Sequence, residues 1–315
     1  MRYRALGNSG LIVSVVGLGC NNFGRRLDVA ATRAVVDAAI EAGVTLLDTA
    51  DTYGGRGRSE EILGEVRAGR RDQVVLATKF GAQGADMGYG LAAGAKGGRA
   101  YIRRAVEHSL RRLNTDYIDL YQIHTPDPVT PIEETLEALS EVVRAGKVRY
   151  IGHSNFSGLR TAAAAVAARD LGAVPFVSAQ NHWSLLERAA EADVVPAALQ
   201  YGLGVLPFFP LANGLLTGKV RRGVPPPADS RLAGRDDYVT EEKLAKVEGL
   251  AEWAQQHGRS LLDVAIGGLA ALPGCSSVIA GATSAEQVRA NAAAGEWVPT
   301  EDDLADIGKI APAEG

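Results

Sequence analysis

Eight short runs rich in β-branched and apolar residues recur along this 315-residue chain, at 13–18, 44–48, 74–78, 117–123, 148–152, 177–180, 205–209 and 277–279. Stretches with helical period or composition separate them: 28–42, 100–113, 131–145, 157–171 and 187–201, then 241–257 and 260–272 before the last run. Regular alternation of strand and helix argues for a parallel α/β sheet, and eight β-then-α units are the number that closes such a sheet on itself. The expected fold class is therefore α/β, a (β/α)8 TIM barrel. No internal repeat or low-complexity linker divides the chain, so residues 1–315 read as one domain.

Local punctuation refines this outline. Thr130-Pro131-Ile132-Glu133 has the composition of a capping box with proline at the first helical position, and Gly146 supplies a stop for the same helix. Ahead of the first run, 2–6 and 11–13 flank Gly7-Asn8-Ser9-Gly10, which predicts an N-terminal β-hairpin lying across the bottom of the barrel. Two connections exceed the usual ~2–6 residues, namely the long loops after strands 3 and 7 at 81–99 and 211–240. Both leave the C-terminal ends of strands, the face on which barrel enzymes build their sites. The first holds seven glycines in the eighteen residues 81–98 without any phosphate-loop pattern, and its position predicts a flexible wall over a substrate.

Charge and cysteine usage exclude several partners. Lysine and arginine total 33 against 37 acidic residues, and a net charge of −4 provides no field for nucleic acid or an anionic membrane surface. A small-molecule partner is expected. Cys20 and Cys275 lie far apart and lack metal-ligand spacing, so neither a metal site nor a disulfide is expected and the compartment reads as reducing. The N-terminus lacks the apolar run of a signal peptide, and no stretch approaches the ~20 apolar residues of a membrane span, so the expected location is cytoplasmic. Homo-oligomerisation is left open.

Four ionisable residues fall at the ends of three consecutive strands. The second run ends at Asp48 with Tyr53 five residues later, the third ends at Lys79-Phe80, and the fourth at Ile123-His124. Separately, a lysine after a strand reads as a solvated charge and an Asp-x-Thr as a cap. In a barrel they converge on one mouth. Their combined chemistry suits carbonyl reduction, in which hydride attack develops an alkoxide that needs a proton and a hydrogen bond. Tyr53 would give the proton. An unperturbed tyrosine titrates near 10, so work at neutrality calls for stabilising its phenolate by up to ~4 kcal/mol, and a neighbouring ammonium acts in that direction. Lys79 would supply it, Asp48 would orient Lys79, and His124 would position the carbonyl oxygen.

The motifs LLDTADTYG, VLATKF, YQIHTPDP, YIGHSNF, SAQNHWSLLER, PLANGLLTGK and VIAGATSAEQVRAN follow one another over nearly the whole chain. In this order the sequence resembles the aldo-keto reductase superfamily. The resemblance implies a (β/α)8 barrel without a Rossmann domain, a nicotinamide cofactor extended across the C-terminal face, and Asp48, Tyr53, Lys79 and His124 as catalytic tetrad. It implies that Ser154, Asn155 and Gln180 bind the nicotinamide carboxamide and that Phe208 stacks on its ring. Leu211, Gly214, Leu215 and Lys219 fall in the segment that holds the pyrophosphate, and Gly281, Thr283, Gln287 and Asn291 in the segment at the adenosine end. Gly19, Cys20 and Asn21 follow the first strand and are expected beside the cofactor, with Phe23 facing the substrate and Trp183 either facing the substrate or packing at the barrel rim. NADPH is the implied cofactor. NADH is the alternative, because Gly281 stands where some relatives carry a lysine against the 2′-phosphate; Arg289, Arg221 or Arg222 could compensate.

Three functions compete. The first is reduction of aldehydes or ketones. The second is a cofactor-sensing regulatory subunit resembling potassium-channel β subunits, which keep the fold and the tetrad. The third is a Schiff-base aldolase using Lys79. His153 reads as a partnered structural histidine, and Trp253 and Trp297 as packing residues.

Overall fold

The computed structural model describes residues 1–224, 231–235 and 237–313. Part of the loop after strand 7, at 225–230 and 236, lies outside the described residues. A two-stranded hairpin, β1 (Tyr3–Ala5) and β2 (Ile12–Ser14), precedes the barrel strands β3 (Val16–Gly19), β4 (Leu46–Asp48), β5 (Val75–Phe80), β6 (Ile118–Ile123), β7 (Val148–Ser154), β8 (Phe176–His182), β9 (Gly204–Phe208) and β10 (Val278–Gly281). All barrel pairs are parallel, and β10 closes the ring by pairing with both β3 and β9. The predicted (β/α)8 barrel with its N-terminal hairpin is the observed architecture.

Outside the ring lie α1 (Val29–Glu41), α2 (Arg58–Val66), α3 (Arg99–Arg112), α4 (Ile132–Arg144), α5 (Gly158–Leu171) and α6 (Val194–Tyr201). They are followed by α7 (Glu241–Gln256), α8 (261–271, with a π turn at Val264–Gly268), α9 (Ala285–Ala294) and α10 (Glu301–Ile310). The sequence reading had not marked α2, α9 or α10. Among the described residues no helix is long and apolar enough to cross a membrane.

Period-two alternation builds the interior in layers. Leu46, Ala77, Leu120, Leu206 and Ile279 form one buried apolar cluster across the strands. Two residues further along the same strands stand Asp48, Lys79, Gln122, Phe208 and Gly281. The upper layer thus carries the polar Asp48, Lys79 and Gln122 directly above apolar residues of their own strands. From below, Leu6, Leu11 and Val13 of the hairpin join the apolar cluster and plug the barrel bottom. Gly7 makes this fit: at φ +55° it lies so close to Gly202 that a Cβ would sit 2.4 Å from the Gly202 carbonyl oxygen.

Several local expectations are corrected. The first run breaks in two: Ile12–Ser14 pairs antiparallel with Tyr3–Ala5, and only Val16–Gly19 enters the barrel. Ser14 organises the break, its hydroxyl donating to the Val16 carbonyl (2.7 Å) and accepting from the Thr45 amide (2.9 Å). Thr130 is not a capping residue, because its hydroxyl donates to Asp127 Oδ2 (2.8 Å) and Pro131 takes the N-cap position without a side-chain bond. The stop at Gly146 is as expected, with φ +74° and its amide bonded to the Val143 carbonyl (2.9 Å). The stretch 187–201 is helical only from Val194, where Pro196 falls in the first turn that proline tolerates. Before it, an Arg188–Glu191 ion pair folds the chain into a short 3-10 turn.

At Gly152, on β7, a Cβ would lie 2.1 Å from Ser178 Oγ of the neighbouring strand. Gly152→Ala is expected to destabilise the fold by ~2 kcal/mol through overpacking, and adding Ser178→Gly to recover more than half of that in urea melts. Equal melting curves for Gly152→Ala and the parent chain would contradict this packing.

Candidate active site

At the C-terminal mouth the strand ends bring Asp48, Lys79, Gln122 and Gln180 together around a buried charge. Lys79 is 1% exposed. Its Nζ donates to Asp48 Oδ2 (2.6 Å) and to the Thr49 carbonyl (2.9 Å), and reaches the Tyr53 hydroxyl at 3.5 Å. The other carboxylate oxygen, Asp48 Oδ1, accepts from Gln180 Nε2 (3.0 Å) and Gln122 Nε2 (3.2 Å). Both oxygens of Asp48 are therefore fixed. Tyr53 lies edge-on to His124, ring centroids 5.8 Å apart.

Electrostatics assign each group a protonation state. Burial pulls the Lys79 ammonium down, but Asp48 and Tyr53 outweigh it and hold the group above its ordinary value, so it stays charged. Burial drives the Tyr53 phenol above its usual 10; Lys79 pulls it down and Asp48 pushes it up. The expected net lowering of Tyr53 by Lys79 is thus corrected, because enclosure and the Asp48 charge counteract the ammonium. Burial, with Lys79 and Lys96, takes His124 down to about 3, so it is a neutral imidazole. A Schiff base at Lys79 is disfavoured on the same grounds: the amine is an ammonium tied to a carboxylate and does not line the cavity.

A cavity of ≈ 670 Å³ opens from Tyr53 and His124 and runs across the mouth. Gly19, Asn21, Asp48, Ser154, Asn155, Gln180, Phe208, Leu211, Gly214, Lys219, Gly281, Thr283, Gln287 and Asn291 line it. Besides Lys79, four expected residues do not. Cys20 is buried, with its thiol driven up by burial. Leu215 is buried in the second apolar cluster, and Phe23 in the main one. Trp183 points away and donates from Nε1 to Glu191 Oε1 (2.9 Å). Cys20, Phe23 and Leu215 each sit one residue out of phase with a lining neighbour, Gly19, Asn22 and Gly214 respectively. No residue of the Gly-rich loop lines the cavity either, so the expected wall is corrected. That loop is tied down beside the mouth, with Tyr89 packed on Tyr101 (5.2 Å) and Lys96 Nζ donating to the Ala82 and Ala85 carbonyls.

The sequence pattern of the Aldo/keto reductase family matches residues 15–312. The chain belongs to the aldo/keto reductase family. It is 38% identical to an uncharacterized oxidoreductase of Bacillus subtilis, over 100% of this chain and 97% of that protein. To a probable voltage-gated potassium channel subunit beta of Oryza sativa it is 37% identical (95% and 92% covered). To the L-glyceraldehyde 3-phosphate reductase of Escherichia coli it is 35% identical (92% and 86% covered).

The polar row of this aldo/keto reductase is pre-set by its own hydrogen bonds. Ser154 Oγ donates to the Gln180 carbonyl (2.8 Å), and Asn155, at φ +61°, donates from Nδ2 to the His124 carbonyl (2.9 Å). Gln180 spends its amide hydrogens on Asp48 and on Gln122 Oε1, leaving its own Oε1 as an acceptor. Phe208 stacks on His182 (5.5 Å, 7° between planes). At the other end Gln287 Oε1 accepts from the Thr283 amide (2.8 Å). None of the cations considered as compensating for Gly281 lines the cavity: Arg289 pairs with Glu41, and Arg222 with Glu241 and Glu248. Instead Arg26, Lys219 and Arg231 do, and Arg231 Nη2 donates to the side-chain oxygens of Asn21 (3.0 Å) and Asn22 (2.9 Å).

The sequence reading missed Gln122 and Arg231. Gln122 was legible in principle, since it lies two residues before His124 on a strand and so faces the interior with it. Arg231 was not, because its place depends on how a long loop folds back. His153, fully buried and lowered to about 3 by burial, bonds through Nε2 to Thr161 Oγ1 (3.3 Å), as a structural histidine does.

With His124 neutral far below physiological pH, its NMR imidazole shifts are expected to stay flat from pH 5 to 9. A titration midpoint inside that range would contradict the site's electrostatics.

Proposed function

We propose that this aldo/keto reductase reduces small aldehydes and ketones to alcohols with NADPH, NADH being the alternative reductant, and that Asp48, Tyr53, Lys79 and His124 carry the reaction. What supports the reading above all is that Tyr53, backed by a buried ammonium, opens on the same cavity as a row of carboxamide and hydroxyl groups. That donor set fits a nicotinamide cofactor: Ser154, Asn155 and the Gln180 acceptor for a carboxamide, Phe208 for a planar ring, Lys219 for an anion. Gly214 adds to the fit, since at φ +113° a Cβ there would meet nothing within 4 Å and the backbone is open to close approach. Thr283, Gln287 and Asn291 would hold the adenosine end.

When bound, the cofactor supplies the hydride that reduces the carbonyl carbon. The chain supplies the proton and the charge. Its raised pKa keeps the Tyr53 hydroxyl protonated at neutrality, so the proton is present when the carbonyl oxygen becomes an alkoxide. Lys79, 3.5 Å away, stabilises the phenolate left behind. Neutral His124 donates a hydrogen bond to the same oxygen, a contribution of the order of 10²–10³ in rate for one such donor. Asp48 fixes Lys79, and Gln122 and Gln180 fix Asp48.

The Escherichia coli relative is named for a phosphorylated triose, which favours small polar aldehydes as the first substrates to test. The reading takes residues 1–315 as one domain. The rice relative, named as a channel subunit, supports a second reading in which the chain binds the cofactor tightly and reports its redox state with little turnover.

Assays with both cofactors against glyceraldehyde, methylglyoxal, an aromatic aldehyde and a sugar aldehyde decide between the two. Tyr53→Phe is expected to lower kcat by ~10²–10⁴ while cofactor affinity, read by fluorescence quenching, changes less than about threefold. Undiminished turnover by Tyr53→Phe would sink the mechanism, and tight binding without turnover by the parent chain would favour the sensor.

A further inference from the structure

Inside the barrel Gln122 of β6 and Gln180 of β8 meet across β7, which carries a glycine opposite Gln122. That glycine, Gly152, leaves the room, since a Cβ there would lie 3.3 Å from Gln122 Cγ as well as 2.1 Å from Ser178 Oγ. On its other side Gln122 has Lys79 of β5 as register partner, and beyond Lys79 stands Asp48 at the end of β4. Gln122 is completely buried and does not line the cavity, whereas Gln180 does. It therefore acts on the site only through the side chains it touches.

Those side chains close a ring of hydrogen bonds. Gln122 Nε2 donates to Asp48 Oδ1 (3.2 Å), and Gln180 Nε2 donates both to the same oxygen (3.0 Å) and to Gln122 Oε1 (3.3 Å). The direction of each bond follows from chemistry. A carboxylate paired with an ammonium accepts only, so the amide atom that each glutamine turns toward Asp48 is its nitrogen. With its nitrogen there, Gln122 has its oxygen turned to Gln180, whose second amide hydrogen meets it. Both hydrogens of Gln180 are thus spent inside the barrel, and its Oε1 is the polar atom left for the cavity. Held by Asp48 alone, the Gln180 amide could swing one hydrogen toward the cavity. Held by Gln122 as well, it would have to break a second enclosed hydrogen bond to do so.

We propose that Gln122 is a positioning residue that carries the polarity of the Lys79–Asp48 pair to Gln180, so that a bound cofactor meets a fixed hydrogen-bond acceptor at that point. The ligand group that matches a fixed acceptor is an N–H, which the carboxamide of a nicotinamide has and the acetyl group of an acetylpyridine lacks. A site built to accept from an N–H rejects the analogue without one, because its acceptor is left unpaired. The identity of the ligand rests on the reductase reading above; the orientation of the two amides is a property of the chain alone. When Gln122 is lost, Asp48 keeps Lys79 and Gln180 as partners, and Lys79 keeps Asp48 and the Thr49 carbonyl. The consequence therefore falls on cofactor recognition more than on proton transfer from Tyr53.

The test compares the parent chain with Gln122→Leu, which keeps most of the side chain's bulk without its amide. Dissociation constants are read by tryptophan fluorescence quenching for the oxidised nicotinamide dinucleotide and for its 3-acetylpyridine analogue, in whichever series, with or without the 2′-phosphate, the parent binds. The parent is expected to favour the carboxamide form by about tenfold or more. In Gln122→Leu that form should weaken by roughly six- to tenfold and the analogue by less than about twofold, so that discrimination falls about threefold or more. With an aldehyde that turns over, the cofactor KM should rise by a similar factor while kcat stays within about threefold of the parent. Equal weakening of both ligands, as a general loss of packing would produce, overturns the proposal, and so does unchanged discrimination. Should Gln122→Leu fail to fold, the ligand-free parent decides through nitrogen-15 spectra of its side-chain amides. Those of Gln122 and Gln180 are expected to exchange hydrogen with water about a hundredfold or more slowly than that of the exposed Gln255. Exchange of the Gln180 amide at the rate of Gln255 overturns the proposal. Failure of the parent to bind any nicotinamide dinucleotide would count against the reductase reading, and the exchange measurement would still decide how the two amides are held.

Discussion

Lys79 carries its ammonium into the barrel with 1% of its surface exposed, where an unpaired cation would be driven to give up its proton. It stays charged because one Asp48 oxygen lies 2.6 Å away and the Thr49 carbonyl 2.9 Å away. Removing one member of such a pair ordinarily costs ~3–5 kcal/mol, because the other is left buried and uncompensated. Asp48 in turn needs its second oxygen satisfied, and Gln122 and Gln180 do so. One buried charge thus dictates the polar layer at the top of the barrel.

That layer can exist only above an apolar one. Leu46, Ala77 and Leu120 sit two residues below Asp48, Lys79 and Gln122 on adjacent strands, and the hairpin residues Leu6, Leu11 and Val13 close the space beneath. The enclosure that protects the ion pair also raises Tyr53 and lowers His124, so the same dry surroundings leave the phenol protonated and the imidazole neutral. Both forms can donate a hydrogen bond to an oxygen in the cavity. The protonation states follow from packing rather than from any one neighbour.

Much of this was legible in advance. The eight strands, the C-terminal stop at Gly146 and the convergence of Asp48, Tyr53, Lys79 and His124 follow from local pattern and topology. Errors arose where a side chain had a better partner than its sequence neighbours. Thr130 gives its hydroxyl to Asp127 instead of capping α4, and of the two places open to Trp183 its indole takes the one away from the cavity, against Glu191. Ser14 bends a continuous apolar run into a hairpin strand and a barrel strand.

By itself the sequence determined the repeating β/α order, and with it which residues fall at strand ends and on which face, because strand period and chain connectivity are local properties. It also determined the chemical types available at the mouth. Only the tertiary structure decided their protonation states, the orientation of the Gln122 and Gln180 amides, the placement of Arg231 beside Asn21 and Asn22, and the exclusion of the Gly-rich loop from the cavity. Each of these depends on desolvation or on contacts between segments far apart in the chain, and neither can be read from residue order.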